Sequence, residues 1–352
     1  MPASITARTR TAPVRRAGPG RRLSTLATIA AAALTLIVAV PAGWLPTSAQ
    51  AASYPNPGLV KGNITVHDPS MTKGPSGTYL LGATAPGIDL RTSSDRITFT
   101  YTGKAFPSGA SWTDAYTGTS NGNLWAPDLT YIGGKYLMYY AASSFGSNKS
   151  AIFLASSTTG TPGSWTNQGL VYSSTTSSDF NAIDPNLIVD QGGKWWLSLG
   201  SFWTGIKMIQ LDPGTGKQLS SNTTRYSLAQ RSGSSTAIEA PSILYHAGYY
   251  YLFTSWDLCC KGTSSTYRIA VGRSTAITGP YKDQAGTLLT SGGGTIILAS
   301  HGTIIGPGGQ SVLPDSDADV LVYHYYDGAD NGTAKLGINL LGWDSSAWPY
   351  VY

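Results

Sequence analysis

Beyond about residue 60 the apolar positions come in short runs rich in Val, Ile, Leu, Tyr and Trp, separated by Gly-containing turns, and they lack the spacing of an amphipathic helix. That pattern predicts strands and hairpins and argues against a helical repeat. One unit recurs five times: a short Pro or Gly motif, a strand, a tight turn, then an aromatic strand. His67-Asp68-Pro69-Ser70 leads to Tyr79-Leu80-Leu81, and Trp125-Ala126-Pro127-Asp128 leads through Gly133-Gly134 to Tyr136-Leu137-Met138-Tyr139-Tyr140. Ile183-Asp184-Pro185-Asn186 leads to Trp195-Trp196-Leu197, and Glu239-Ala240-Pro241-Ser242 to Tyr249-Tyr250-Tyr251-Leu252-Phe253. Gly308-Gly309-Gln310-Ser311 leads to Val320-Leu321-Val322-Tyr323-His324.

The aligned prolines at 69, 127, 185 and 241, with Gln310 in the fifth slot, are separated by steps of 58, 58, 56 and 69 residues. Each step suits a blade of four antiparallel strands, so the fold class expected is all-β, a five-bladed β-propeller. A β-sandwich with similar hairpins is the alternative. It explains the turns but not the regular return of one motif. In a propeller the innermost strands line one axis, so Asp68, Asp184 and Glu239 are expected to face one pocket although they are far apart in sequence.

Three carboxyls in a partly closed site repel one another, and burial opposes their ionisation, so at least one should keep its proton near neutral pH. An acid beside a base is what glycosidic cleavage needs. Clustered acids can also hold a cation, but none of the three lies in a calcium-loop pattern.

Composition narrows the class further. The first 51 residues carry six Arg (8, 10, 15, 16, 21 and 22), an apolar run of 15 residues from 26 to 40, and the small-residue site Ala49-Gln50-Ala51. These are the marks of an export signal, and the run falls short of the roughly 20 residues that span a bilayer. The expected organisation is a signal over 1–51 and a propeller over 52–352, in a secreted, extracellular protein with no membrane attachment after processing. The Arg21-Arg22 pair leaves general and twin-arginine export both open.

The formal charge of +5 belongs to that leader; the rest of the chain holds 17 basic and 18 acidic residues. It therefore lacks the basic footprint of a nucleic-acid binder. The two cysteines, Cys259 and Cys260, are neighbours, and either a vicinal disulfide or two buried thiols is possible. No further Cys or nearby His completes a ligand set in the sequence.

The motifs His67-Asp68-Pro69-Ser70, Trp125-Ala126-Pro127-Asp128, Ala182-Ile183-Asp184-Pro185-Asn186 and Ile238-Glu239-Ala240-Pro241-Ser242 together resemble glycoside hydrolase family 43. The run from Leu252 to Gly262 and Val271-Gly272-Arg273-Ser274 look most like its arabinanases. The resemblance implies an inverting hydrolase, with Asp68 as general base, Glu239 as general acid, and Asp184 raising the acid's pKa and orienting it. It further implies endo-hydrolysis of (1->5)-alpha-L-arabinofuranosidic linkages in arabinan, a plant cell-wall polysaccharide, by a monomer. An exo-acting arabinofuranosidase or xylosidase of the same fold, and a carbohydrate-binding propeller without catalysis, are the alternatives. The carboxyl trio argues against the last of these.

Sugar rings need aromatic platforms and polar edges. Trp125, Phe180, Trp203 and Trp256 are candidate platforms, and Gln310 is a candidate for a substrate hydroxyl. Trp195 and Trp196 are expected in the core. Relatives often carry Gly-Pro-Gly-His where this chain has Gly306-Pro307-Gly308-Gly309-Gln310, so the axial calcium that the resemblance implies lacks its histidine. His301 or His324 is left as a possible ligand. No separate binding module is legible, so attachment to a polymer falls to the catalytic cleft.

Overall fold

The computed structural model describes residues 53–233 and 235–352. The expected export signal over 1–51 lies outside the described residues. The strands form five separate sheets, one per repeat. The innermost strands are Ser70–Lys73, Asn123–Ile132, Asn186–Val189, Ile238–His246 and Ile304–Pro314, in blades 1 to 5 respectively. This is the five-bladed β-propeller expected; five sheets around an axis exclude the two-sheet sandwich.

The second strand of each blade shows why apolar runs are nearly continuous. In Lys135–Ala142 of blade 2 every residue after Lys135 is buried. Leu137 and Tyr139 pack with Leu197 and Ile209 of blade 3, whereas Met138 and Tyr140 pack with Leu80 and Leu90 of blade 1. Alternation still operates, but both faces of the strand are interior. Blade 4 repeats this: Leu252 faces Trp196 and Met208 of blade 3, while Tyr251 and Phe253 face Leu321 and Tyr323 of blade 5. The circle closes where Val320 and Val322 of blade 5 meet Met71 and Leu81 of blade 1. Outer strands such as Thr166–Ser174 are largely polar and solvent-facing. The incoming chain latches the last blade to the first, with Leu336 N donating to Ile64 O at 2.8 Å and Gly58 N to Ile338 O at 2.8 Å.

A belt of side chains runs around the axis at the residue after the aligned proline. Ser70 Oγ accepts from Leu129 N, Asp128 Oδ2 from Leu187 N, Asn186 Oδ1 from Ile243 N, and Ser242 Oγ from Val312 N, at 2.8–3.1 Å. Ser311 Oγ completes the circuit by donating to Pro69 O at 3.0 Å. Every blade is thereby tied to the next through a backbone group that its own sheet leaves unpaired. Asp128 holds two donors, since Asn186 Nδ2 also reaches its Oδ1 at 3.0 Å. Asp128→Ala leaves both donors buried without acceptors, and a loss of about 2–4 kcal/mol is expected in denaturant unfolding. A change within experimental error would show that the belt contributes nothing.

Candidate active site

Each blade carries a backbone feature that the sequence pattern did not foretell. The residue before the aligned position lies in the left-handed region in all five: Asp68 (φ 46°), Ala126 (42°), Asp184 (54°), Ala240 (51°) and Gly309 (57°). Four of these are not glycine, and such a conformation costs of order 1–3 kcal/mol each. In blades 2, 4 and 5 the strand register jumps across this point. A bulge leaves a residue without ladder bonding, which suits the prolines because they have no N–H to donate. The kink re-aims its neighbours at the axis. Asp68 and Asp184 sit on the kink itself, and Glu239 sits one residue earlier, in register with His67 and Trp125.

The structure brings the three acids together at one end of the axis. Asp68 and Asp184 line an axial cavity of about 30 Å³, room for one or two waters. Glu239 stands beside Ala240, another wall residue of that cavity. The Ala240 peptide is clamped from both sides: its N–H donates to Asp184 Oδ2 at 3.0 Å, and its carbonyl accepts from Gln310 Nε2 at 2.6 Å. Blades 3 and 5 thus fix the backbone of Glu239 from opposite directions. The Glu239 carboxyl accepts from Ser201 Oγ at 2.6 Å and from the Tyr267 hydroxyl.

Asp68 is held differently. Its Oδ2 accepts from Thr84 Oγ1 at 2.8 Å and pairs with His67 Nδ1 at 2.9 Å. His67 stacks on the fully buried His324, with ring centroids 3.8 Å apart, and its Nε2 meets the Tyr326 hydroxyl at 2.9 Å. His324 Nδ1 accepts the Asp68 backbone N–H at 3.1 Å, which fixes its tautomer with the proton on Nε2, facing Tyr326.

These surroundings push the carboxyls in opposite directions. Burial raises Glu239 to about 7, with the Asp68 charge adding to the rise and Ser201 and His67 opposing it. Burial also raises Asp184 well above the ordinary aspartate value, helped by the neighbouring Glu239 and Asp68. Burial acts on Asp68 in the same sense, but the ion pair and hydrogen bond from His67, with His324 and Thr84, outweigh it and hold Asp68 well below the usual carboxylate range. His67 is correspondingly raised: burial opposes its charge, yet Asp68 prevails. His324 is lowered, by burial and by His67. Of the stacked pair, His67 is the imidazole that holds a proton more readily. The site therefore holds an ionised carboxylate and a protonated carboxyl at one pH.

Other candidates divide. Trp125 is half-buried, with its ring edge-on to Phe145, which is 82% exposed. Trp203, two residues from Ser201, is 39% exposed. Both lie near the trio and can offer a ring face. Phe180 cannot: it is buried between blades 2 and 3, and the Arg225 guanidinium covers its ring at 4.2 Å. Trp256 is likewise buried, beneath Arg231 at 4.4 Å. Gln310 lines the cavity, but Oε1 accepts from Ser255 and Nε2 donates to Ala240, so it ties blades 4 and 5 rather than meeting a sugar hydroxyl.

The metal expectation also changes. His301 is directed to its own loop, with Nδ1 at 2.8 Å from Ala299 O, and is not an axial ligand. His324 is axial, but both its nitrogens are engaged by Asp68 and Tyr326. A side chain in place of Gly309 would meet Asp68 Oδ1 at 2.6 Å and His324 Nδ1 at 2.8 Å. His67, Asp68 and His324 do bring ligand atoms within 4.8 Å of one another, a set that could hold a cation only by giving up the hydrogen bonds that engage them. Cys259 and Cys260 form a vicinal disulfide in the loop after Trp256. A histidine does lie near them, contrary to the sequence expectation, because His67 Nε2 is 3.7 Å from Cys260 Sγ. The sulfurs bond each other and are not free to ligate. The loop acts instead through the Cys260 N–H, which donates to Tyr326.

The catalytic-family pattern is matched across this whole arrangement: the profile described as Glycosyl hydrolases family 43 covers residues 58–349. The chain belongs to glycoside hydrolase family 43. It is 47% identical over 290 residues to the extracellular endo-alpha-(1->5)-L-arabinanase 1 of Bacillus subtilis, covering 82% of this chain and 88% of that protein. It is 38% identical over 301 residues to an extracellular exo-alpha-(1->5)-L-arabinofuranosidase of Cellvibrio japonicus, covering 82% and 86%. The solved structure of a family 43 endo-arabinanase from Bacillus licheniformis superposes with a TM-score of 0.77 at 45% identity, covering 83% of this chain and 99% of that one.

Proposed function

We propose that this glycosidase cuts (1->5)-alpha-L-arabinofuranosidic linkages within arabinan, with inversion of configuration. The observation that carries the reading is the opposed environment of two carboxyls at one axis, Asp68 paired with His67 and Glu239 desolvated beneath two hydroxyls. Glu239, protonated, delivers its proton to the departing glycosidic oxygen. Asp68, ionised, takes a proton from water on the other side of the sugar. Asp184 grips the Ala240 N–H, and its own carboxyl is raised by burial and by Glu239, so the two share one buried site in which ionisation of either opposes that of the other. Trp125, Phe145 and Trp203 supply ring faces for the chain.

Internal cleavage is supported by the endo-acting name of the 47% identical Bacillus subtilis relative. Exo action is the second reading, favoured by the Cellvibrio japonicus relative. Secretion after loss of 1–51 fits relatives named as extracellular. Chromatographic sizing of early digests of linear arabinan tests the reading. A ladder of oligosaccharides is expected, and monosaccharide alone from the first time points would overturn internal cleavage.

The protonation states set the pH profile. Hydrolysis needs protonated Glu239, so the rate is full below about 7 and falls as pH rises through that value. Asp68 remains ionised well into acid, so it causes no loss under mildly acidic conditions. Asp184→Asn removes the carboxyl whose ionisation competes with that of Glu239. It is expected to slow turnover roughly tenfold or more and to move the alkaline limb of kcat/KM to lower pH. An unmoved limb would sink the role given to Asp184.

A further inference from the structure

A cavity larger than the axial one lies elsewhere in the described residues. A groove of about 320 Å³ opens between blades 2 and 3, a volume at the lower end of what small-ligand sites occupy. Its position follows from strand direction. Inner strands Asn123–Ile132 and Asn186–Val189 begin at the catalytic end and run away from it, so Lys135 and Trp195, which open the next strands, stand at the opposite end. The 213–217 turn, which follows strand Ile206–Asp212, reaches the same end. The groove is therefore on the face remote from the acid trio.

Its lining is specific in kind. Leu137 and Leu154 form a buried apolar floor, and Trp195 is half-buried with ring surface left over. Gln168 adds an amide at the rim, and Lys135 and Lys217 add two ammonium groups. No carboxylate lines the groove, and neither lysine has an ion-pair partner among the described residues. Asp212, at the root of the turn, is occupied by Gly214 N–H and the Thr215 hydroxyl. An indole face suits a sugar ring. Two unpaired cations beside it suit a sugar that carries carboxylates rather than a neutral one.

We infer that this groove is a second carbohydrate site, which takes a uronate-bearing oligosaccharide chain and is separate from catalysis. The site adds a second point of attachment to the one expected at the catalytic cleft, and it stands whether or not the hydrolytic reading holds. An acidic polysaccharide held on the far face would keep the enzyme on a wall matrix while the axial site works on a neutral chain.

Native affinity electrophoresis of the full chain, in gels with polygalacturonate or with its carboxyl-reduced neutral counterpart, tests the inference. Wild type is expected to be retarded by the acidic polymer, less so as salt rises, and not by the neutral one. Lys135→Ala with Lys217→Ala is expected to weaken binding about tenfold or more, with kcat on short arabino-oligosaccharides unchanged. Trp195→Ala should weaken it too, but the lysine pair, lying at the rim, keeps the test free of folding defects. Absence of retardation, equal retardation by the neutral polymer, or full binding by the lysine variant would each overturn the site.

Discussion

Glu239→Gln is expected to fold as the parent does and to lose about 10²–10⁴-fold in hydrolysis of arabinan, the range that a general acid contributes. The glutamine oxygen can still accept from one of the Ser201 and Tyr267 hydroxyls, and its NH2 can donate to the other once that hydroxyl turns, so both contacts survive while the transferable proton is gone. The loss should depend on the leaving group. Dinitrophenolate leaves without protonation, so the variant should cleave a dinitrophenyl arabinofuranoside far closer to the parental rate than it cleaves arabinan. Its alkaline limb near pH 7 should also vanish, because that limb reports the missing carboxyl. Parental turnover of arabinan by the purified variant would remove Glu239 from the mechanism.

Asp68→Asn should be equally damaging but with a different signature. Water activation is needed whatever group departs, so the rate should fall about 10²–10⁴-fold on arabinan and on the activated aryl substrate alike. The change also removes the charge that draws a proton onto His67, and the imidazole is expected to titrate at lower pH than in the parent. NMR of the His67 ring follows this apart from catalysis. A variant that loses arabinan cleavage yet keeps full activity on the aryl substrate would show that Asp68 does not serve the water.

Much of this arrangement was legible in the chain because the prolines at 69, 127, 185 and 241 mark one kinked position in successive inner strands. From that repeat the blades, the axis and the convergence of Asp68, Asp184 and Glu239 follow. Partners drawn from other parts of the blades were not legible. Ser201, Tyr267 and Tyr326 lie outside the repeated motif, and only the folded geometry puts their hydroxyls on Glu239 and His67. His67 was visible beside Asp68, but its stacking on His324 depends on how blade 5 closes against blade 1. Phe180 and Gln310 both face neighbouring blades rather than the opening. Nearness to a motif in sequence does not say whether a side chain faces the opening or a neighbouring blade.

The pairing of a proton donor with a water-activating base is tested most directly by the configuration of the first product. Proton NMR of linear arabinan in deuterated buffer, recorded within the first turnovers, distinguishes the newly formed reducing ends before they mutarotate. The β-anomer is expected to appear first from the α-linked chain and then to equilibrate. Initial release of the α-anomer would mean that a carboxylate attacks the sugar itself, and the roles assigned to Asp68 and Glu239 would be wrong.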